Sequence, residues 1–152
     1  MDVDDAIRPI EIGAVRELRQ RVLRPHQRAE ELVYPGDDAP DSLHAGAFEG
    51  DELVGIATVI REAPPGTTDE RAWRLRGMAT LPEVRGKGYG AALLQRCLDH
   101  VGKHGGALVW CNARATAVEF YRRSGFEVRG EGFSLPVIGL HFFMLRSLDG
   151  TG

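Results

Sequence analysis

Three glycines stand at alternate positions, Gly86, Gly88 and Gly90, in the stretch VRGKGYGAALLQ at residues 84–95, and an apolar helical pattern follows at once. Glycine loses more backbone entropy on folding than any other residue, so three of them at the mouth of a helix need a reason. Helix N-termini carry about half a positive charge and several unpaired N–H groups. A glycine-rich lead-in lets a phosphate reach those groups. Arg85 and Lys87 add positive charge to the same stretch. Two readings follow: a cradle for phosphate or pyrophosphate, or a flexible strand-to-helix turn with surface cations.

The phosphate readings separate by motif and context. The string GxxxxGK[ST] of a P-loop is absent. Gly86-x-Gly88-x-x-Ala91 satisfies the dinucleotide fingerprint GxGxxG/A. That motif opens a series of βα units and is followed by an acidic residue about 20 positions on. Here the next strand ends at Cys111-Asn112, and too little chain remains for a doubly wound sheet.

The chain has 152 residues, 43% hydrophobic and 27% charged, which suits residues 1–152 as one domain. A chain of this length needs neither disulfide nor metal to hold its core, and no metal is expected. The net charge of −3 argues against broad nucleic-acid binding. No apolar run approaches the roughly 20 residues of a membrane span, and the acidic start MDVDDAIRPI lacks a signal-peptide layout. A cytoplasmic location is the resulting expectation, with neither nucleic acid nor membrane as a partner. Cys97 and Cys111 have no CxxC spacing. One falls on a helical apolar stripe and the other in a buried strand, so neither reads as a nucleophile.

Residues 7–10 read as a short strand and residues 11–23 as a helix, with Val15, Leu18 and Val22 on one face. Residues 43–49 and 52–61 read as a hairpin turned at Gly50-Asp51. Residues 72–81 form a further strand, and the helix after the glycines runs to about Lys103 with Leu94, Cys97, Leu98 and Val101 on its apolar stripe. ALVWC at residues 107–111 reads as a buried strand. A helix of about eight residues follows, with Thr116 and Glu119 at capping-box spacing and Gly125 placed to end it. Residues 126–145 read as two strands around a turn at 136–139. The order predicts a mixed α/β domain with an antiparallel meander and one strand–helix–strand crossover.

Arg85-x-x-Gly88-x-Gly90 matches the R/Q-x-x-G-x-G/A signature of the GNAT superfamily of acyl-CoA-dependent N-acyltransferases. RLRGMATL at residues 74–81 stands where that family has its fourth strand, and Asn112, Ala117, Tyr121 and Gly125-Phe126 resemble its second half. The resemblance is strong over residues 72–126 and looser elsewhere. Leu18-Arg19 with Val22, the acidic loop before His44, and Gly139-Leu140-His141 with Met144 are similar to the ElaA-like branch.

The resemblance implies a mixed, mostly antiparallel sheet of about six or seven strands flanked by helices, with a splayed central parallel pair. It implies acetyl-CoA as cosubstrate, with its pyrophosphate on the backbone from Arg85 through Gly86, Lys87, Gly88, Tyr89 and Gly90 to Ala91. Met78, Ala79 and Thr80 would pair with the pantetheine arm, and the N–H near Met78 would face the thioester oxygen as an oxyanion donor. Gly77 is compatible with the bulge this requires. Tyr121 stands where the family places its general acid. Asn112 would bond the coenzyme arm or cap the following helix. The general base is open among His44, Glu131 and His141. Asp37, Asp38 and Asp41 suit a cationic acceptor, or form a solvated turn. The expected activity is acetyl transfer to a primary amine of a small molecule or peptide, by a monomer or homodimer. The alternative is a coenzyme-binding sensor without catalysis.

Overall fold

The sheet is laid down by a hairpin, a crossover and a long return strand. In the computed structural model, which describes residues 3–148, the strands are β1 (Ile7–Pro9), β2 (Leu43–Glu49), β3 (Glu52–Arg61), β4 (Ala72–Thr80), β5 (Leu108–Arg114), β6 (Glu127–Val128), β7 (Phe133–Leu135) and β8 (Gly139–Ser147). The α-helices are α1 (Ile12–Leu18), α2 (Tyr89–Lys103) and α3 (Val118–Arg123). Gly50 turns the β2–β3 hairpin at φ 63°, a left-handed value that suits glycine.

The strands pair in the order β1-β2-β3-β4-β5-β8-β6, and β7 also pairs with β8. Only β4 and β5 run parallel. The mixed, mostly antiparallel sheet is therefore as expected, with eight strands among the described residues. The tail supplies three strands where two were read, because β6 and β7 occupy successive stretches along one edge of β8. Segments of two and three residues are too short to show alternation.

β4 and β5 share only three register pairs, Ala72 with Leu108, Trp73 with Val109 and Arg74 with Trp110. Beyond Arg74 the two strands part, β4 staying with β3 and β5 with β8. The sheet is thus splayed at its centre. On the other side of β4, Ile56 pairs with Ala79 and Thr58 with Arg76, so Ala57 alone faces Gly77 and Met78. That is a β-bulge, and Gly77 takes φ 66° there.

α2 covers one face of the sheet. Leu93, Leu94, Cys97, Leu98 and Val101 are buried on it, packed toward β2, β3 and β4. Each such side chain stabilises the fold by roughly 1.5–3 kcal/mol through removal from water. Trp73 and Trp110 are fully buried, and the Trp110 indole donates to the Glu62 carbonyl at 2.8 Å.

Three local readings change. The first helix is α-helical only to Leu18, and a π-helical segment, Arg19–Leu23, completes it, the Arg24 N–H reaching the Arg19 carbonyl at 2.9 Å. Ahead of α3 a 3-10 turn, Ala115–Ala117, intervenes, and Ala117 rather than Thr116 occupies the N-cap with no side-chain cap bond. Glu119 bonds Arg122 at 2.6 Å instead of closing a capping box. The buried strand starts at Leu108 and runs on to Arg114, so Asn112 is a strand residue opposite Phe143 and caps no helix.

Candidate active site

The 3-10 turn Pro82–Val84 brings the chain from β4 into the glycine stretch. The Arg85 N–H bonds the Pro82 carbonyl and the Lys87 N–H bonds the Val84 carbonyl, both at 3.3 Å. Those two amides are spent in the turn, which narrows the expected run. The first α-helical bond of α2 is from the Ala92 N–H to the Gly88 carbonyl, at 3.1 Å. The N–H groups of Gly86, Gly88, Tyr89, Gly90 and Ala91 have no acceptor among the described residues. Gly86 and Gly88 reach this arrangement at φ 84° and 92°. A Cβ on Gly90 would meet the Phe120 ring at 3.3 Å. Five free donors with the positive end of a fifteen-residue helix behind them suit a diphosphate.

The cations of this stretch differ in their freedom. Lys87 Nζ lies 3.3 Å from Glu49 Oε2, and the Tyr89 hydroxyl donates to the same carboxylate at 3.2 Å. The Arg85 guanidinium makes only a long contact, 3.5 Å, to the Thr80 carbonyl. Two adjoining hollows of about 540 Å³ each follow this surface. The first is lined by the glycine stretch and Arg123, and the second by Met78, Ala79, Thr80, Phe120 and Tyr121. The expected binding residues on β4 and in the glycine stretch therefore share one continuous cleft.

Through the opening between β4 and β5 the cleft meets a third cavity of about 200 Å³. Met78, Arg114, Thr116, Ala117 and Tyr121 line both sides of that passage. Asn112 and Cys111 belong to the inner cavity. Burial pushes both thiols, Cys97 and Cys111, up to about 12, so each stays protonated at neutral pH. The Tyr121 ring is held edge-on by Phe120 and Phe126 at 5.1 and 5.5 Å, and its hydroxyl has no hydrogen-bond partner among the described residues. Burial raises the phenol above its ordinary value.

The three base candidates are separated by their surroundings. The Nε2–H of His44 donates to the Asp37 carbonyl at 2.7 Å, and its Nδ1 accepts from the Thr58 hydroxyl at 2.8 Å. Both ring nitrogens are occupied, and the ring lines none of these hollows. Glu131 is exposed between β6 and β7, also away from them. His141, on β8, is 4% exposed and lines the inner cavity with Tyr121. Its Nδ1–H donates to the Gly139 carbonyl at 2.8 Å, which leaves the Nε2 lone pair free.

The acidic loop is spent elsewhere. Asp37 is buried against Arg19, Asp41 pairs with Arg61 at 2.9 Å, and Asp38 is exposed. Among the described residues no group of three His, Cys, Asp or Glu side chains could hold a metal ion. No helix of these residues is long and apolar enough to cross a membrane.

A model of the acetyltransferase (GNAT) family matches residues 12–126. This chain belongs to the GNAT family. An uncharacterised N-acetyltransferase of Bacillus subtilis strain 168, YitI, is 37% identical over 142 residues, covering 93% of this chain and 95% of its own. Among solved structures, Escherichia coli ElaA superposes with a TM-score of 0.74 at 21% identity, over 92% of this chain and 97% of ElaA. An aminoglycoside 6'-N-acetyltransferase complexed with coenzyme A gives 0.71 at 16% identity, over 93% and 96%. At those identities the two structures speak for the shared fold. GNAT proteins are acyltransferases that draw on acetyl-CoA, and the cleft with its five free amides fits a donor of that kind.

Sequence reasoning gave no role to Tyr34, Arg24, Arg76 or Arg114, which line the inner cavity with Arg74. One signal was available. Arg74 and Arg76 alternate on one strand, which turns both to the same face.

Proposed function

We propose that this protein transfers the acetyl group of acetyl-CoA to a primary amine on a small molecule. The observation that carries the reading is the opening between β4 and β5. It joins a cleft with five free amides at one end to a cavity holding a free histidine nitrogen, and Tyr121 stands in the passage. The diphosphate lies on Gly86, Gly88, Tyr89, Gly90 and Ala91, with the Arg85 side chain beside it. The arm runs along Met78, Ala79 and Thr80, with Asn112 across the gap. The bulge at Gly77 and Met78 turns the Met78 N–H toward the thioester carbonyl, where it stabilises the charge that develops on oxygen.

His141 Nε2 takes a proton from the acceptor's ammonium, directly or through one water, and frees the lone pair for attack. Tyr121 donates its proton to sulfur as the C–S bond breaks, the second proton shed by the acylated nitrogen restores the phenol, and the proton held by His141 passes to solvent. His44 and Glu131 take no part; His44 belongs to the buried network around Arg19.

Thiol release from acetyl-CoA, followed across a panel of primary amines, tests this reading. Release with at least one amine is expected. Tight acetyl-CoA binding without release for any acceptor would make the chain a sensor. His141→Gln is expected to lower kcat by about 10²-fold, the lower end of general-base effects, since water can relay the proton. Unchanged turnover would move the base elsewhere.

The cradle has its own test. Gly88→Ala forces a Cβ into φ 92°, at a cost of roughly 1–2 kcal/mol, which the chain relieves by shifting the amides of the cradle. Calorimetry should show acetyl-CoA affinity reduced by about tenfold or more. Gly102→Ala, on the exposed last turn of α2 where a Cβ meets nothing within 4 Å, should leave that affinity alone. Equal affinities in the two variants would remove the cradle from the glycine stretch.

A further inference from the structure

The inner cavity is cationic. Arg24, Arg74, Arg76 and Arg114 line it, and no aspartate or glutamate does. Arg74 is matched by Glu62 at 3.0 Å from outside the lining, yet its Nε is buried without a partner. Arg114 spends Nη2 on the Leu23 carbonyl at 2.6 Å, and Arg24 reaches the same carbonyl at 3.2 Å, so neither meets an opposite charge there.

Arg76 is the most exceptional of the four. Its side chain makes no hydrogen bond and no ion pair among the described residues. Its guanidinium lies over the Tyr34 ring at 3.7 Å, and Arg19 lies over the same ring at 3.9 Å. Burial, then the charge of Arg74, lowers Arg76 to about 10. Glu62 and Tyr34 offset this in part, but Glu62 is already paired with Arg74, and a half-buried guanidinium without a carboxylate of its own is costly unless a counter-charge arrives. Stacking on a ring face occupies the π surface of the guanidinium and leaves its in-plane N–H groups directed outward, the fork that matches a carboxylate or phosphate.

Resting on the acetyl-transfer reading, we infer that the acceptor carries an anionic group beside its primary amine, and that Arg76, supported by Arg74, holds that group. The volume of about 200 Å³ lies below the roughly 300–1,000 Å³ of drug-sized sites, which favours a molecule of amino-acid size. Of the loop aspartates that would suit a purely cationic acceptor, Asp37 and Asp41 are held by Arg19 and Arg61, and Asp38 lines none of these hollows. Carboxylate and phosphate share the chemistry that this fork recognises.

Matched acceptors test the inference and distinguish the two anions. L-methionine is compared with 3-(methylthio)propylamine, and phosphoethanolamine with ethanolamine. For each, thiol release and calorimetric binding to the coenzyme A-loaded protein are measured. The anionic member of at least one pair is expected to exceed its neutral counterpart by about 10–100-fold in kcat/KM and in affinity. Arg76→Gln should bring that ratio close to one, and Arg76→Lys should restore part of it, because lysine keeps the charge and loses the fork. Preference within the methionine pair identifies a carboxylate; preference within the ethanolamine pair identifies a phosphate.

Neutral amines used or bound as well as their anionic partners would overturn the inference, as would a ratio that survives Arg76→Gln. Transfer confined to neutral amines keeps acetyl transfer and removes the anion site. Anion-selective binding without thiol release keeps the anion site and removes acetyl transfer.

Discussion

Replacing Tyr121 by phenylalanine is expected to lower kcat by about 10²–10⁴-fold, the range for loss of a positioned general acid, with little change in acetyl-CoA affinity or stability. The substitution is clean because of where the ring sits. Phe120 and Phe126 hold it edge-on at 5.1 and 5.5 Å, and these contacts need only the aromatic ring. The hydroxyl has no hydrogen-bond partner among the described residues and borders the passage between cleft and inner cavity. Removing it leaves no buried group stranded, so the loss falls on the chemistry.

The proton balance also has a direction. In water a phenol near 10 gives its proton to a thiolate whose conjugate acid is near 8.5 at an uphill cost of about 2 kcal/mol. Burial raises the Tyr121 phenol above its ordinary value. In the proposed reaction the thiolate departs into the same passage, where desolvation raises its proton affinity as well, so the gap does not widen by the full shift. One consequence is visible in the pH profile. The raised phenol remains protonated below its ordinary value, so a fall in kcat between neutrality and about pH 10 cannot come from Tyr121 ionising. Wild-type turnover in Tyr121→Phe would assign the acid to another group.

The parts of this site that the sequence revealed are those with local causes. Gly86, Gly88 and Gly90 stand out as a cluster within a few consecutive residues, whereas Gly77 is only compatible with a bulge that the family resemblance implied. The apolar stripe of α2 is periodic and so is legible. What stayed hidden depends on the sheet closing. Arg74 and Arg76 alternate like any solvated strand face, and only the splay beside β5 turns that face into a cavity. His44, Glu131 and His141 are equivalent as letters; hydrogen bonds to Thr58, Asp37 and Gly139 distinguish them. Asn112 moved from loop to strand because β8 pairs with β5 through Arg114, and that partner lies some thirty residues away.

Arg19 and Asp37 form the other hidden feature, and cutting their pair should damage the protein most. Arg19 is fully buried. It grips Asp37 with two bonds of 2.7 and 3.0 Å, reaches Thr58 at 3.0 Å and the Leu32 carbonyl at 2.8 Å. Arg19→Ala strands the Asp37 carboxylate in the interior. Losing one partner of such a pair costs about 3–5 kcal/mol, out of a total stability of roughly 5–15 kcal/mol. At about 2–4 °C per kcal/mol for a chain of this size, Tm should fall by about 6–20 °C. Arg19→Met with Asp37→Leu should recover much of this, because a neutral apolar pair leaves no stranded charge. Acid supplies a second reading of the same pair. Burial alone would raise the Asp37 carboxyl, but the Arg19 hydrogen bonds, the Tyr34 N–H and the Arg19 charge outweigh it and hold it below its ordinary value. A depressed folded value means that the stabilisation is complete above about pH 4, the unfolded value, and is lost as pH falls through the lower folded one. Wild-type stability should therefore decline in acid more steeply than that of the apolar double variant; parallel declines would show that the pair contributes nothing to the pH dependence. Arg19 Nε also lies 3.2 Å from where a Cβ on Gly77 would stand, so the pair forms the floor of the bulge. The site is thereby tied to the fold: Arg19→Ala, assayed well below its lowered Tm, should lose turnover as well as stability.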